Sequence, residues 1–314
     1  GRPGYRPGAS PAQGGTMRYG SVCSGVEAAS LAWEPLGWRA QFFAEVDAFP
    51  SAVLAQRWPD VPNLGDFTTI EATDATIDLL VGGTPCQAFS SQGLRGGLGD
   101  KRGGLALEYF RLAQRMRPRW VVWENVAGVL SVDGGRAFGS ILGALGELGY
   151  GFAWRVLDAQ YFGVPQRRRR VFVVGYLGGD SRRAGSVLFE HARTEGYTHP
   201  VRAPPPRASG RSGEAFEKGL SILDGDNHRV SSNVVPTLST KVCHNRQLVM
   251  SKSGIRHLTP TEWERLQGMP DGHTLVTYRG KPARNTPRYK AIGNSMAVPV
   301  MRWIGERIAM VDSL

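Results

Sequence analysis

Cysteine is scarce in this 314-residue chain, with only Cys23, Cys86 and Cys243. None belongs to a C-x-x-C pair or to a His/Cys cluster at zinc spacing, so neither a disulfide framework nor a structural metal organises the fold. No apolar run approaches the ~18 residues of a membrane helix. The first residues carry neither an apolar signal core nor an A-x-A cleavage site. Membrane insertion and secretion therefore have no support, and a reducing, cytoplasmic compartment is expected. A G-x-G-x-x-G fingerprint is also missing, which disfavours a nicotinamide dinucleotide as cofactor. No internal repeat is evident.

What is present is an ordinary globular composition, 41% hydrophobic, with a formal net charge of +11. The charge is segregated. Residues 1–16 carry +2, residues 17–154 carry −3, and residues 155–314 carry +12. A near-neutral first half followed by a strongly basic second half suggests that the later part faces a polyanion, against the alternative of a solvated basic surface.

Residues 1–16, GRPGYRPGASPAQGGT, lack apolar periodicity and read as a disordered leader or a remnant of cloning. From Arg18 short apolar runs alternate with helix-like stretches: YGSVC, then Glu27–Leu36, AQFFAEV, Ala48–Gln56, IDLLVGG, Leu105–Arg115 and WVVWENV. This alternation predicts an α/β fold with a Rossmann-like, mostly parallel sheet. FAWRVLDA and RVFVVGYL are too close together for a helical crossover and predict an antiparallel strand pair at the sheet edge. After Gly178 the chain turns Pro-rich, basic and irregular, with strand-like VVPTLST and QLVMS. A helix resumes at Thr259, with Pro260 at its first position and Glu262 in its first turn, and another amphipathic helix spans Ser295–Met310. The expected organisation is a larger domain of residues 17–177 with 285–314, and a smaller, irregular domain of residues 178–284.

Chemistry concentrates at strand ends. In VGGTPCQAFS an apolar strand delivers Cys86 into a Gly/Pro/Ser turn at its carboxyl end, where α/β sheets bind ligands. A lone cysteine is most often a small core hydrophobe. Here Pro85 stiffens the backbone before the thiol, and the following SSQGLRGGLGDKRGG cannot pack and reads as a moving loop. The next strand ends in Glu124-Asn125, and an acid beside a nucleophile is a catalytic pairing. Ser24-Gly25 follows the first strand, Glu45 follows the second, and Asp66 is expected at the end of the third. Acids after successive strands suit an adenosine-bearing cofactor, the second-strand acid accepting ribose hydroxyls.

These segments resemble the cytosine-C5 DNA methyltransferase family, of bacterial or phage type, in order and across residues 18–310. The resemblance rests on Gly83-Thr84-Pro85-Cys86-Gln87-Ala88-Phe89-Ser90, Glu124-Asn125-Val126, Gly163-Val164-Pro165-Gln166-Arg167-Arg168-Arg169-Arg170, RHLTPTEWERLQGMPD from Arg256, and YKAIGNSMAVPV from Tyr289. Two departures stand out. Cys23 occupies a position where an aromatic is usual, with Glu27 where a second glycine is common, and Arg169 replaces a common Glu.

The resemblance implies transfer of a methyl group from S-adenosylmethionine to a cytosine flipped out of a specific duplex DNA sequence. It implies Cys86 as the nucleophile at carbon 6, Glu124 hydrogen-bonded to N3 and the exocyclic amine, Arg170 and Arg168 on the O2 side, and Asn125 supporting the loop. For the cofactor it nominates Ser24, Gly25, Glu45, Asp66, Pro85, Asn294 and Ser295, and for DNA Ser90, Ser91, Gln92 and Thr237. No metal is implied. A monomer is expected, with a cognate restriction endonuclease as a possible companion in a restriction-modification system, and residues 178–255 stand in the target-recognition position. Two alternatives remain: the same chemistry on tRNA, and a catalytically silent DNA-binding protein on this scaffold.

Overall fold

The computed structural model describes residues 16–72, 75–85, 104–189, 221–224, 229–231, 235, 238, 248–251 and 254–314. The expected leader and the Gly-rich segment after Cys86 lie outside the described residues, apart from Thr16 at the end of the leader and Gly104 at the end of the segment. The first half follows the alternating grammar of the sequence: β1 (Arg18–Val22), α1 (Ala28–Trp33), β2 (Arg39–Ala44), α2 (Ala48–Arg57), β3 (Leu79–Gly82), α3 (Gly104–Met116), β4 (Trp120–Val126), α4 (Arg136–Glu147), β5 (Tyr150–Asp158), β6 (Arg169–Leu177) and α5 (Ser181–Leu188). The helix expected over 27–36 divides at Pro35, where a 3-10 turn, Glu34–Leu36, takes over.

Strands β1–β6 form one sheet in the order β2-β1-β3-β4-β6-β5. Strands β1 to β4 pair in parallel. β6 runs against both β4 and β5, so the antiparallel pair closes one edge and β6 alone opposes the general direction. Because β6 is reversed, its first residues lie beside the last residues of β4, with Arg170 opposite Val126. The order reverses between β1 and β3, which opens the crevice at the carboxyl ends of the parallel strands.

Both sheet faces are covered, and the strands consequently read as continuous apolar runs. Leu79, Val81, Trp120 and Val122 face one apolar cluster, and Leu80, Val121 and Trp123 face the other. Trp33, Trp120 and Trp123 are fully buried; each large apolar side chain so removed from water stabilises the fold by about 1.5–3 kcal/mol. α5 packs on β5 and on the last helix, so the chain stays on this body through Leu188.

The later elements are β7 (Ser221–Asp224), β8 (Arg229–Ser231), β9 (Leu248–Ser251) and β10 (Gly254–His257), α6 (Pro260–Leu266), β11 (Thr277–Tyr278), β12 (Lys281–Pro282), α7 (Asn285–Asn294) and α8 (Val298–Asp312). β7–β10 form a separate antiparallel sheet, ordered β10-β9-β7-β8. α6 opens with a full capping box between Thr259 and Glu262. The last helix starts later than expected, at Val298, because Ser295–Ala297 form the turn out of α7. No described helix is long and apolar enough to cross a membrane.

Candidate active site

Two groups of side chains gather at the carboxyl edge of the parallel strands. The first surrounds the ends of β1 and β2. Ser24 ties them together, its hydroxyl donating to the Ser21 carbonyl at 2.8 Å and accepting from Ala44 N at 3.1 Å. The Glu45 carboxylate accepts Gly25 N–H at 2.8 Å and Asp47 N–H at 2.7 Å. Cys23, Gly25 and Glu27 all have positive φ, 49°, 58° and 61°, so the chain folds tightly here. A Cβ on Gly25 would meet nothing within 4 Å. The open space above Gly25, beside the Glu45 carboxylate, fits the ribose end of an adenosine-bearing cofactor.

Beneath this loop the fully buried Glu27 accepts from Ser21 Oγ at 2.7 Å and Ser30 N at 2.9 Å. Burial pushes its carboxyl up to about 7, against those hydrogen bonds. Burial also raises the Cys23 thiol to about 12, with the charges of Glu45 and Asp66 acting in the same direction. Cys23 is therefore a neutral part of the wall, unsuited to nucleophilic work at neutral pH.

Asp66 is not at the end of the third strand. It lies in the β2–β3 connection, which runs beside β2 for a single bridge, Phe43 to Asn63. Pro62 and the positive φ of Gly65, 75°, stop that segment from becoming a strand. The exposed Asp66 caps the following 3-10 turn, accepting from Thr68 N at 2.9 Å. Two residues unmarked in the sequence reading matter here. Asn63 accepts from Glu45 N at 2.9 Å and donates to Glu45 O at 3.1 Å, clamping that residue's backbone. Val46, 75% exposed, stands next to Glu45 as an apolar surface. An Asn-x-Gly turn and a valine at a strand end carry no distinctive sequence signal.

The second group surrounds the ends of β3 and β4. Trp123 Nε1 donates to Thr84 Oγ1 and Asn125 Nδ2 to the Thr84 carbonyl, each at 2.9 Å. Thr84 is thereby fixed on both its side chain and its backbone, and the exposed Pro85 follows. Cys86 itself, with Ser90, Ser91, Gln92 and Thr237, lies outside the described residues. Glu124 is nearly buried, and Arg170 Nε stands 3.2 Å from its Oε1. Burial raises the Glu124 carboxyl above its ordinary range, while the charges of Arg170 and then Arg168 oppose that shift. A Cβ on Gly83 would fall 3.0 Å from Glu124 Oε2 and 3.5 Å from the Met296 methyl. The turn after α7 thus reaches the same point as β3 and β4.

Arg168 is buried and points away from solvent, its Nη2 donating to the carbonyls of Gly293 at 3.1 Å and Ser295 at 2.7 Å. Burial lowers it to about 9, with the charge of Arg170 adding to the shift and that of Glu124 opposing it. Asn294 is exposed and Ser295 buried at this turn. The structure therefore gathers Glu124, Asn125, Arg168, Arg170 and Ser295 around one strand edge, with Ser24, Gly25 and Glu45 beside it. Among the described residues no group of three His, Cys, Asp or Glu side chains could hold a metal ion.

A family model described as C-5 cytosine-specific DNA methylase matches residues 17–202 and 208–310. The Type II methyltransferase M.HpaII of Haemophilus parainfluenzae is 30% identical, over 97% of this chain and 92% of its own length. A protein of Escherichia phage P1 named DNA N-6-adenine-methyltransferase is 35% identical over 92% of this chain, which spans 61% of that relative's length. In fold, the Dnmt2 methyltransferase of S. pombe is similar with a TM-score of 0.57 and 16% identity, covering 94% of this chain and 98% of that structure.

Proposed function

The chain belongs to the C-5 cytosine-specific DNA methylase family, and from that membership we propose that it methylates carbon 5 of cytosine in duplex DNA. The observation that carries the reading is the Glu124 carboxyl, held buried and ion-paired with Arg170 one strand away from the fixed Thr84. S-adenosylmethionine, when bound, supplies an electrophilic methyl group. Glu45 would hold its ribose, Val46 and Pro85 would offer apolar contact, and Ser24, Gly25, Asp66, Asn294 and Ser295 would line the rest of the site.

Cytosine carbon 5 is a weak nucleophile. The Cys86 thiolate adds to carbon 6, which gives carbon 5 enamine character. Negative charge then builds on the ring, and a protonated Glu124 donates to N3 and accepts from the exocyclic amine. Burial, which raises the carboxyl above its ordinary range against the charges of Arg170 and Arg168, favours the protonated form. Arg170 orients Glu124 and faces the O2 side of the base. After methylation, loss of the carbon 5 proton re-forms the double bond, and Cys86 leaves with the electrons of the carbon–sulfur bond. Asn125 supports the turn that carries Cys86. This chemistry needs a base flipped from the stack, and the segment after Cys86, with Ser90, Ser91 and Gln92, would close over it. Thr237 and the arginines of the 178–284 domain would meet DNA. We place the enzyme, as a monomer, in the cytoplasm of a bacterial or phage-infected cell, with a cognate endonuclease as a partner.

The name of the phage relative favours a second product, N6-methyladenine. An exocyclic amine has its own lone pair, however, and gives Cys86 and the Glu124 proton no task. Incubating the chain with tritiated S-adenosylmethionine and either duplex DNA or tRNA, then identifying the labelled nucleoside, separates the readings. We expect 5-methylcytosine from DNA; labelled N6-methyladenine, or label in tRNA alone, overturns the proposal. Cys86→Ser should abolish turnover while keeping cofactor binding, and wild-type activity in that variant would remove the thiol from the mechanism.

A further inference from the structure

α7 ends in a turn whose carbonyls are gripped by side chains from two distant parts of the chain. Arg168, 3% exposed, donates from Nη2 to Gly293 O and Ser295 O at 3.1 and 2.7 Å. Gln267, fully buried, donates from Nε2 to Ile292 O and to the same Ser295 O at 2.9 and 3.3 Å. A guanidinium at a helix C-terminus satisfies carbonyls the helix leaves unpaired and complements its dipole. The other end of Arg168 is equally fixed. Its backbone N–H donates to Asp158 Oδ1 at 2.9 Å, and its carbonyl accepts from Ala159 N at 3.1 Å. Two residues on, Arg170 Nε stands 3.2 Å from Glu124 Oε1, and a Cβ on Gly83 would meet Glu124 Oε2 at 3.0 Å and the Met296 methyl of the turn at 3.5 Å. Among the described residues Arg168 Nε and Nη1 find no hydrogen-bond partner. Arg168 is thus a braced side chain between the turn beside Met296 and the pocket of Glu124 and Arg170.

We propose that Arg168 is a positioning residue that couples the Gly293–Ser295 turn to the Glu124–Arg170 pocket, so that cofactor on one side tightens DNA binding on the other. This rests on the reading of that turn as part of the cofactor site. Nη2 alone makes both carbonyl contacts, and a guanidinium carries two further donor nitrogens beside it, Nε and Nη1, that no single ammonium reproduces. Displacement of the shared Ser295 carbonyl by a ligand moves the guanidinium, and with it the charge that Glu124 experiences. By linkage the same factor acts in both directions.

The test is the affinity of the full chain for duplex DNA containing its methylated site, by fluorescence anisotropy, with and without saturating S-adenosylhomocysteine, which cannot react. The ratio of the two affinities is the coupling factor, and changes common to both cancel. In the wild type we expect about tenfold, within the usual allosteric range. Arg168→Gln, which removes the charge, should reduce it below about twofold. Gln267→Met, which loosens the same carbonyl while leaving Arg168 in place, should reduce it partly, so the idea is testable even where an Arg168 variant fails to fold. Adding Gln267→Met to Arg168→Gln should change the factor no further. A wild-type factor near one, or an undiminished factor in the folded variants, overturns the proposal. A wild type that binds neither S-adenosylhomocysteine nor DNA overturns the methyltransferase reading instead.

Discussion

Gly83 leaves room for the carboxylate of Glu124, since a Cβ there would lie 3.0 Å from Oε2. In Gly83→Ala the carboxylate must shift by a few tenths of an ångström. In the proposed mechanism Glu124 touches the base, and since a ~1 Å misplacement costs ~100-fold, we expect a loss of about tenfold in kcat for this smaller shift, with little change in the KM for S-adenosylmethionine, measured by steady-state kinetics. Glu27 makes a pH prediction. Its proton leaves at about 7 in the folded chain against an ordinary 4.5, so between those values the folded state binds more protons than the unfolded one. Stability therefore falls as pH rises from about 4.5 to about 7 and is flat above. Glu27→Gln mimics the protonated form and should remove that slope, gaining ~3 kcal/mol at pH 8. Urea titrations of both proteins at pH 5 and pH 8 check it, and a variant destabilised equally at both would refute the assignment.

The active edge depends on how neighbouring strands hold one another. β4 fixes the exit of β3 through Trp123 and Asn125, both bonded to Thr84. Asn125→Ala leaves the Thr84 carbonyl without that donor at a cost of about 1–3 kcal/mol, and it frees the turn that carries Cys86. We expect a lower Tm in calorimetry together with a ~10–100-fold fall in kcat; a loss of stability with kcat preserved would show that the turn does not need this anchor. A second buried unit braces α6, α7 and the loop between them. Glu264 pairs with Arg288 at 3.0 Å and accepts from the backbone N–H groups of Gly272 and Thr274. That unit brings the Gly293–Ser295 turn to the strand ends from far along the chain.

Over the whole molecule, charge is divided: residues 17–154 carry −3 and residues 155–314 carry +12. A surface that replaces counterions around DNA gives binding that weakens steeply with salt. If ~6–10 phosphates are contacted, affinity should fall by ~10³–10⁵ between 50 and 200 mM salt. Cofactor affinity, which has no such counterion term, should change little. Anisotropy and calorimetric titrations over that range test both, and a flat DNA profile would place the basic half elsewhere.

The apolar runs of β1–β4, the Gly-Thr-Pro exit of β3 and the strand-ending acids Glu45 and Glu124 were legible in the chain, because a doubly covered parallel sheet demands continuous apolar strands and places its chemistry at their carboxyl ends. The position of Asp66 was misread, since one paired residue, Asn63, resembles a strand end in sequence while Pro62 and Gly65 prevent a strand. Asn63 carries no local signal, and Gln267 and Met296, though inside the RHLTPTEWERLQGMPD and YKAIGNSMAVPV segments, are not marked for the contacts they make: each acts through a backbone atom or a close approach distant in sequence. The direction in which Arg168 points was likewise open, as adjacent arginines at 168, 169 and 170 are alike in sequence. The reversal of β6 and the packing of α7 decided it, by bringing helix-end carbonyls to Arg168 and a carboxylate to Arg170. Sequence determined which groups could do the chemistry, through residue type and strand periodicity; the tertiary structure decided which of them share a pocket, because that depends on contacts between distant segments, from Thr84 with Asn125, 41 residues apart, to Arg168 with Ser295, 127 apart.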